Sequence, residues 1–254
     1  MMSQAFFRKT GPLLKTLLRP ALDYALPPRC PGCGVIVDAD DAFCLTCWSG
    51  MRFLGAPCCA RCGVPFEFDQ GAGAECGACL ADPPPFDSAR AVLAYGDVAR
   101  AVALRLKYGR RIGLARLIAG QMTRHVAALE DSALERAVIV PVPLHRWRLW
   151  WRGFNQSALI ARHLARLTAL AVDHHALLRT RRTLPLRGMT PKARVKAVKG
   201  AFALASGHGL EGRAVLLIDD VQTSGATAAA CARALKRGGA ASVHLLCWAR
   251  VLPD

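Results

Sequence analysis

Eight of the eleven cysteines stand in four Cys-x-x-Cys pairs: Cys30 with Cys33, Cys44 with Cys47, Cys59 with Cys62, and Cys76 with Cys79. Two intervening residues let one tight turn aim both thiolates at a single ion, and two such turns complete a tetrahedral zinc site. Gly32, Gly34 and Gly63 suit those knuckle turns, where backbone at positive φ is common. The spacing predicts two structural zinc ions, one held by Cys30, Cys33, Cys44 and Cys47, the other by Cys59, Cys62, Cys76 and Cys79. An interleaved arrangement, first pair with third, satisfies the same spacing. A single pair of this kind can also be a redox couple. Four of them, with knuckle glycines and no thioredoxin-like βαβ context, read as closed metal sites with no position open to substrate. This segment has too little apolar sequence for a core of its own, so zinc would supply its folding free energy. Cys58, Cys231 and Cys247 fall outside the pattern and are expected to be spectators.

A second group of chemistry-bearing residues lies in the run Val215-Leu-Leu-Ile-Asp-Asp-Val-Gln-Thr-Ser-Gly-Ala-Thr227. A continuous apolar stretch, as in a strand buried on both faces, gives way to two carboxylates and then to a turn of small residues entering a helix. Such a helix start leaves several backbone N–H groups free to wrap a phosphate. The hydroxyls of Thr223, Ser224 and Thr227 add donors. Asp219 and Asp220 would accept from vicinal sugar hydroxyls or from water around a magnesium ion. An acid pair beside a phosphate cradle is what a ribose 5-phosphate demands. The glycine–lysine pattern of a P-loop is missing.

The elements that must position these groups follow from periodicity. Ala89–Ala94, Val138–Val140, Val215–Ile218 and Val243–Trp248 read as strands. Helical faces are marked by Val98, Val102 and Leu106, by Leu114 to Val126, by Leu159 to Leu167, and by the alanine-rich Ala226 to Lys236. Strands alternating with helices mean an α/β fold with a parallel sheet covered on both sides. In such a sheet ligands bind beyond the carboxyl ends of the strands. Four segments are expected: an amphipathic helix over 1–29, a double zinc ribbon over 30–80, a Pro-rich linker over 81–87, and the α/β domain over 88–254. Composition supports this division. Residues 1–86 carry seven Lys or Arg against eight Asp or Glu, while the remainder carries 27 against 10. The 53% hydrophobic content excludes a disordered chain. No apolar stretch reaches the ~18 residues of a membrane span. The polar start Met1–Thr10 lacks a secretory signal's apolar core, so a cytoplasmic protein is expected.

The Val215–Thr227 run resembles the thirteen-residue phosphoribosyl pyrophosphate (PRPP) motif of type I phosphoribosyltransferases. Nearly the whole chain resembles the ComF (competence protein F) family, which joins a double zinc ribbon to a phosphoribosyltransferase-like domain. The likeness runs through Lys107-Tyr108-Gly109, Pro141-Val-Pro-Leu-His145 and Arg152-Gly-Phe-Asn-Gln156. It implies that Asp219 and Asp220 contact ribose hydroxyls while Thr223, Ser224, Gly225, Ala226 and Thr227 hold the 5′-phosphate. It also places Arg148 and Arg152 on a pyrophosphate-binding loop, where guanidinium forks suit phosphate oxygens. In the family's chemistry a nucleophile attacks C1 of the ribose as magnesium pyrophosphate leaves. Trp147, Trp150 and Trp151 interleave with these arginines, either as a stacking platform for bases or as apolar residues folding the loop onto the body. The implied role is in DNA uptake, with PRPP or a related phosphorylated ribose as ligand. Single-stranded DNA and a helicase-like competence partner are the further partners the likeness suggests. Leu186 and Ala197 replace amides usual in the family, although Arg194 is kept, in the stretch 179–199 that corresponds to a mobile substrate loop.

Overall fold

The computed structural model describes residues 27–127, 137–183 and 188–253. The helix expected ahead of Pro27-Pro28 lies outside the described residues. The chain divides by packing into two compact units, Met1–Ser49 and Gly50–Asp254. The first four-cysteine group, with the short helix α1 (Leu45–Ser49), belongs to the first unit. The second group shares its unit with the sheet.

In the second unit, α2 (Gly77–Ala81) closes the ribbon and β1 (Ser88–Ala94) opens the α/β part. There follow α3 (Asp97–Tyr108), α4 (Leu114–Ala127), β2 (Val138–Pro141), α5 (Arg146–Arg152) and α6 (Gln156–Thr168). The chain continues through β3 (Ala171–Val172), β4 (Leu177–Arg179), α7 (Pro191–Val198) and β5 (Phe202–Leu204), and ends with β6 (Ala214–Gln222), α8 (Ala226–Arg237) and β7 (Ser242–Arg250). Five strands form one parallel sheet in the order β1-β7-β6-β2-β3, as the alternating pattern requires. A small antiparallel pair, β4 with β5, stands apart.

Burial explains the apolar runs. Val215, Leu217 and Val243 meet the alanine-rich α8 on one face, where Ala228, Cys231, Ala232 and Leu235 pack closely because their side chains are short. Helices α4 and α6 cover the other face, α4 against β1 and β7, α6 against β2, β3 and β6. Trp248 is fully buried and donates its indole N–H to Gln121 at 2.8 Å, so a large apolar ring is placed without an orphaned donor. Leu167, counted on the inner face of its helix from periodicity, is instead exposed near the end of α6.

β1 is an edge strand, and an unpaired edge is a liability. Here residues 52–61 of the same unit cover it. Leu54 N–H bonds Val92 O at 2.9 Å, the Ala94 N–H bonds Arg52 O at 2.9 Å, and the Ala89 N–H bonds Arg61 O at 2.7 Å. Gly63 comes so close that a Cβ there would lie 2.2 Å from the Ala89 carbonyl oxygen, at a φ of +70°. Only glycine fits.

The cysteines group sequentially rather than interleaved. The sulfurs of Cys30, Cys33, Cys44 and Cys47 lie within 4.8 Å of one another, as do those of Cys59, Cys62, Cys76 and Cys79. Zinc–sulfur bonds of about 2.3 Å in a tetrahedron put sulfurs about 3.8 Å apart. The Cys33–Cys44 and Cys62–Cys76 separations are both 3.6 Å, so the donor sets fit zinc. Backbone N–H groups of Cys62 and Cys76 point at Cys59 Sγ, at 3.4 and 3.3 Å. Burial opposes ionisation of Cys59, but these donors outweigh it and bring its thiol down to about 6. Cys58, Cys231 and Cys247 stand outside both groups.

Because the second four-cysteine group is stapled to the sheet edge, Cys59→Ser should do more than lose metal. Zinc content should fall from about two to about one per chain, and the melting of the sheet-bearing unit should drop by about 5 °C or more. Metal analysis with differential scanning calorimetry reads both; an unchanged melting temperature would separate ribbon from sheet.

Candidate functional site

Strand β2 continues to β3 on one side, while β6, its neighbour on the other side, continues through α8 to β7. The two connections diverge, so the carboxyl ends of β2 and β6 form a topological switch point, where a crevice opens in parallel sheets. The register shows what is displayed there. Pro141, the last residue of β2, pairs with Ile218, and β6 runs on through Gln222 because β7 still pairs with it. Asp219 and Asp220 therefore lie inside the final stretch of the strand, not after it as the apolar run suggests.

Asp220 is 2% exposed, and its side-chain partners come from two helix ends. Lys107 Nζ, from the last turn of α3, lies 2.5 Å from Asp220 Oδ2. Gln156 at the start of α6 donates from Nε2 to Asp220 Oδ1 at 3.4 Å, and its Oε1 accepts from Arg152 Nη1 at 2.5 Å. Asp219 Oδ1 accepts from Ser157 Oγ at 3.1 Å and from the Asp220 N–H at 2.9 Å. Burial, then the adjoining Asp220 charge, push Asp219 up to about 7 against the pull of Lys107. Burial also opposes the charge of Lys107, but the carboxylates of Asp220 and Asp219 outweigh it and hold the ammonium above its ordinary range.

Beyond the pair, Thr223 and Ser224 are exposed, and Gly225 turns the chain at a φ of 73°. A Cβ on Gly225 would lie 3.3 Å from Gln222 Nε2 as well as straining that backbone. The first bond into α8 runs from the Ala229 N–H to Gly225 O, so the N–H groups of Ala226, Thr227 and Ala228 form the open first turn. The five residues expected to hold a phosphate thus make one contiguous turn into α8.

The segment expected as a basic loop is a two-turn helix, α5. His145 caps it, with Nδ1 accepting from the Trp147 N–H at 3.4 Å, and Gly153 ends it in the left-handed region. Arg148 and Arg152 stand one turn apart and turn inward. Arg152 joins the acidic pair through Gln156 and lies over the Tyr108 ring at 5.2 Å. Arg148 instead donates to the Thr183 carbonyl at 3.4 Å. The tryptophans face outward: Trp147, Trp150 and Trp151 are 54%, 78% and 71% exposed, so they do not fold this segment onto the body. Beside α5 an open groove of about 710 Å³ is lined by His145, Arg146, Asn155, His174, His175 and Arg179 among apolar residues. Of the loop expected over 179–199, the described part includes α7, with Ala197 within it and Val198 buried against the core; Leu186 lies outside the described residues.

Periodicity did not bring out Lys107, Gln156, Ser157 or Arg179. Lys107 and Gln156 sit in short motifs noted for their likeness to a family, but no spacing rule joins residues separated by 113 positions (107 to 220).

A parallel α/β sheet with an acidic pair and a helix-start turn at its switch point, preceded by two four-cysteine groups, defines a class. A family model for the double zinc ribbon domain matches residues 21–80. DNA utilization protein YhgH of Escherichia coli K12 is 34% identical over 196 residues, covering 76% of this chain and 84% of that protein. Competence protein F of Haemophilus influenzae is 28% identical over 222 residues, 85% of this chain and 94% of its own length. Competence protein ComFC of Bacillus subtilis is 26% identical over 215 residues, 82% and 84% of the two chains. The chain belongs to the competence protein F family. Among the described residues, no helix is long and apolar enough to cross a membrane.

The raised Asp219 has a consequence for stability. Its folded form keeps a proton that the unfolded chain loses near pH 4, so stability falls as pH rises from about 4 to about 7. Asp219→Asn should raise the melting temperature by about 3 °C or more at pH 8 and change it little at pH 4. Equal shifts at both values would mean that Asp219 ionises as an ordinary carboxylate.

Proposed function

We propose that the acidic pair and the turn into α8 bind a phosphorylated ribose, PRPP in the family's chemistry, in a protein that serves DNA uptake or utilization. The observation that carries this reading is the unbroken run from the acidic pair through Gly225 to the first turn of α8 at the sheet's switch point. Open N–H groups and hydroxyls there suit the 5′-phosphate. The carboxylate side of the turn suits the ribose hydroxyls. In transfer, positive charge would build on the sugar beside the carboxylates as pyrophosphate leaves. Arg148, Arg152 and Arg179 are the cations that would stabilise the departing charge. The relatives are named for competence and DNA utilization, and we extend that role to this chain.

The test is a calorimetric titration of PRPP against the wild type and two variants. Ser224→Asp puts a carboxylate where the phosphate would sit, on an exposed turn residue whose charge a helix start tolerates. It should weaken binding by about tenfold or more, as should the double change Asp219→Asn with Asp220→Asn. Equal affinity in all three proteins would remove the reading.

The exposed tryptophans favour a second ligand on the same unit, single-stranded DNA. Three indoles beside Arg146 on a strongly cationic domain offer stacking faces and phosphate contacts. Base stacking is worth about 1–3 kcal/mol per base, so Trp150→Ala with Trp151→Ala should weaken oligonucleotide binding by about tenfold or more while keeping its salt slope. Fluorescence anisotropy across a salt series measures both. Undiminished affinity in the double variant would take the platform off α5.

A further inference from the structure

An acid pair in a ribose-phosphate site carries the expectation of a divalent cation, and the residues present can be tested for that fit. Magnesium requires near-octahedral oxygens at about 2.0–2.1 Å and keeps several waters of its own. The carboxylates here are already engaged. Asp220 Oδ2 faces Lys107 Nζ at 2.5 Å and Asp220 Oδ1 accepts from Gln156, while Asp219 Oδ1 accepts from Ser157 Oγ and the Asp220 N–H. Two of the four oxygens accept hydrogen bonds from protein donors, a third, Asp220 Oδ2, stands against the Lys107 ammonium in an ion pair, and Asp220 is closed to solvent. A dication at the pair would also meet a full ammonium at contact distance, with the Arg152 guanidinium one side chain away on Gln156. The pair as it stands does not fit a magnesium ion.

Lys107 is held in place by its surroundings. It lies in the last turn of α3, where the helix dipole favours a cation. The helix stops there: Gly109 is its C-cap, where a Cβ would lie 2.8 Å from the Arg105 carbonyl oxygen, and Arg110 turns the chain left-handed at a φ of 52°. The adjoining Tyr108 ring lies beneath the Arg152 guanidinium and edge-on to Trp151, whose ring centroid is 6.4 Å away. The ammonium is thus delivered to Asp220 from a helix end, with its side chain mostly buried.

We propose that Lys107 is the resident cation of the acidic pair, standing in place of a divalent ion there, and that the ribose-phosphate ligand engages the pair without one. This rests on the reading of the site as a seat for a phosphorylated ribose. The ammonium neutralises Asp220 and holds it as a fixed acceptor, which makes Lys107 a positioning residue. Asp219 is the more open carboxylate of the two and the one left to meet sugar hydroxyls.

The experiment uses the zinc-replete full chain in chelator-free, metal-scrubbed buffer. Paramagnetic resonance of added Mn²⁺, without ligand, should show no uptake at the pair in the wild type. Lys107→Met should take up one ion per chain, Lys107→Met with Asp220→Asn should lose it again, and Lys107→Arg should remain free of manganese. Ribose 5-phosphate, which lacks the chelating pyrophosphate, should bind the wild type with the same affinity, within about twofold, with or without Mg²⁺. Manganese uptake by the wild type that vanishes in Asp220→Asn would overturn the proposal, as would ribose 5-phosphate binding that needs Mg²⁺. If Lys107→Met does not fold, the wild-type and Asp220→Asn titrations still decide. If ribose 5-phosphate binds under neither condition the ligand reading fails, while the manganese titration judges Lys107 independently.

Discussion

The ion pair between Lys107 and Asp220 is the contact on which the geometry of the site depends. A carboxylate with almost no solvent contact, at the end of the central strand, is costly unless a cation and hydrogen-bond donors reach it. The end of α3 and the start of α6 supply both, so those two helix termini must converge on β6. That convergence brings Ser157 to Asp219 and Arg152 to Gln156. Loss of one partner would leave a buried charge uncompensated, which is why the arrangement behaves as a unit. Part of the fold's stability is thereby committed to a polar cluster at the mouth of the crevice. Hydrophobic packing of equal volume would serve stability at least as well, so the cluster is best understood through ligand binding.

The same logic of satisfying exposed groups accounts for the ribbon. The outer side of β1 offers a row of backbone donors and acceptors, and residues 52–61 meet them. Zinc in the second four-cysteine group would hold that cover in shape, since the segment has little apolar core of its own. Arg90 and Arg250 reinforce it by donating to the carbonyls of Ala60 and Cys62. The second four-cysteine group is therefore part of the architecture of the sheet. Catalytic zinc would need an open coordination position, and four thiolates leave none.

What could be read from the sequence divides along physical lines. The cysteine knuckles were legible because their ligands are local: each pair spans one turn, and only the choice between sequential and interleaved grouping needed three dimensions. The parallel sheet was legible because strands buried on both faces must be continuously apolar, as Val215–Ile218 is. The turn into α8 was legible because a helix start is a local motif. The partners of the acid pair were not. Lys107 looks like any basic residue at a helix end, and its role follows from where α3 stops relative to β6, which is a tertiary fact. The basic segment after β2 reads in the sequence as a loop because two prolines, Pro141 and Pro143, precede it and it is short. His145 nevertheless caps a helix there, and Gly153 ends it.

These contacts also bear on whether sugar-phosphate and nucleic-acid binding are alternatives. Arg152 touches Gln156 on one side, hence the acid pair, and lies over Tyr108 on the other; Tyr108 in turn meets Trp151 edge-on. The proposed ribose seat and the aromatic surface therefore share an arginine and a helix end. A chain of contacts does not by itself demonstrate energetic coupling. It does mean that a ligand which moves Arg152 must disturb both places, because a guanidinium held at two faces cannot shift at one alone. Counting eight thiolates and two zinc ions lowers the formal charge of +16 to about +12, and that correction falls entirely on the ribbon. The cationic excess stays on the unit that carries the turn, the groove and the tryptophans. A polyanion and a phosphorylated sugar would thus be drawn to the same face, and their binding is better treated as competition or cooperation at one surface than as two unrelated functions.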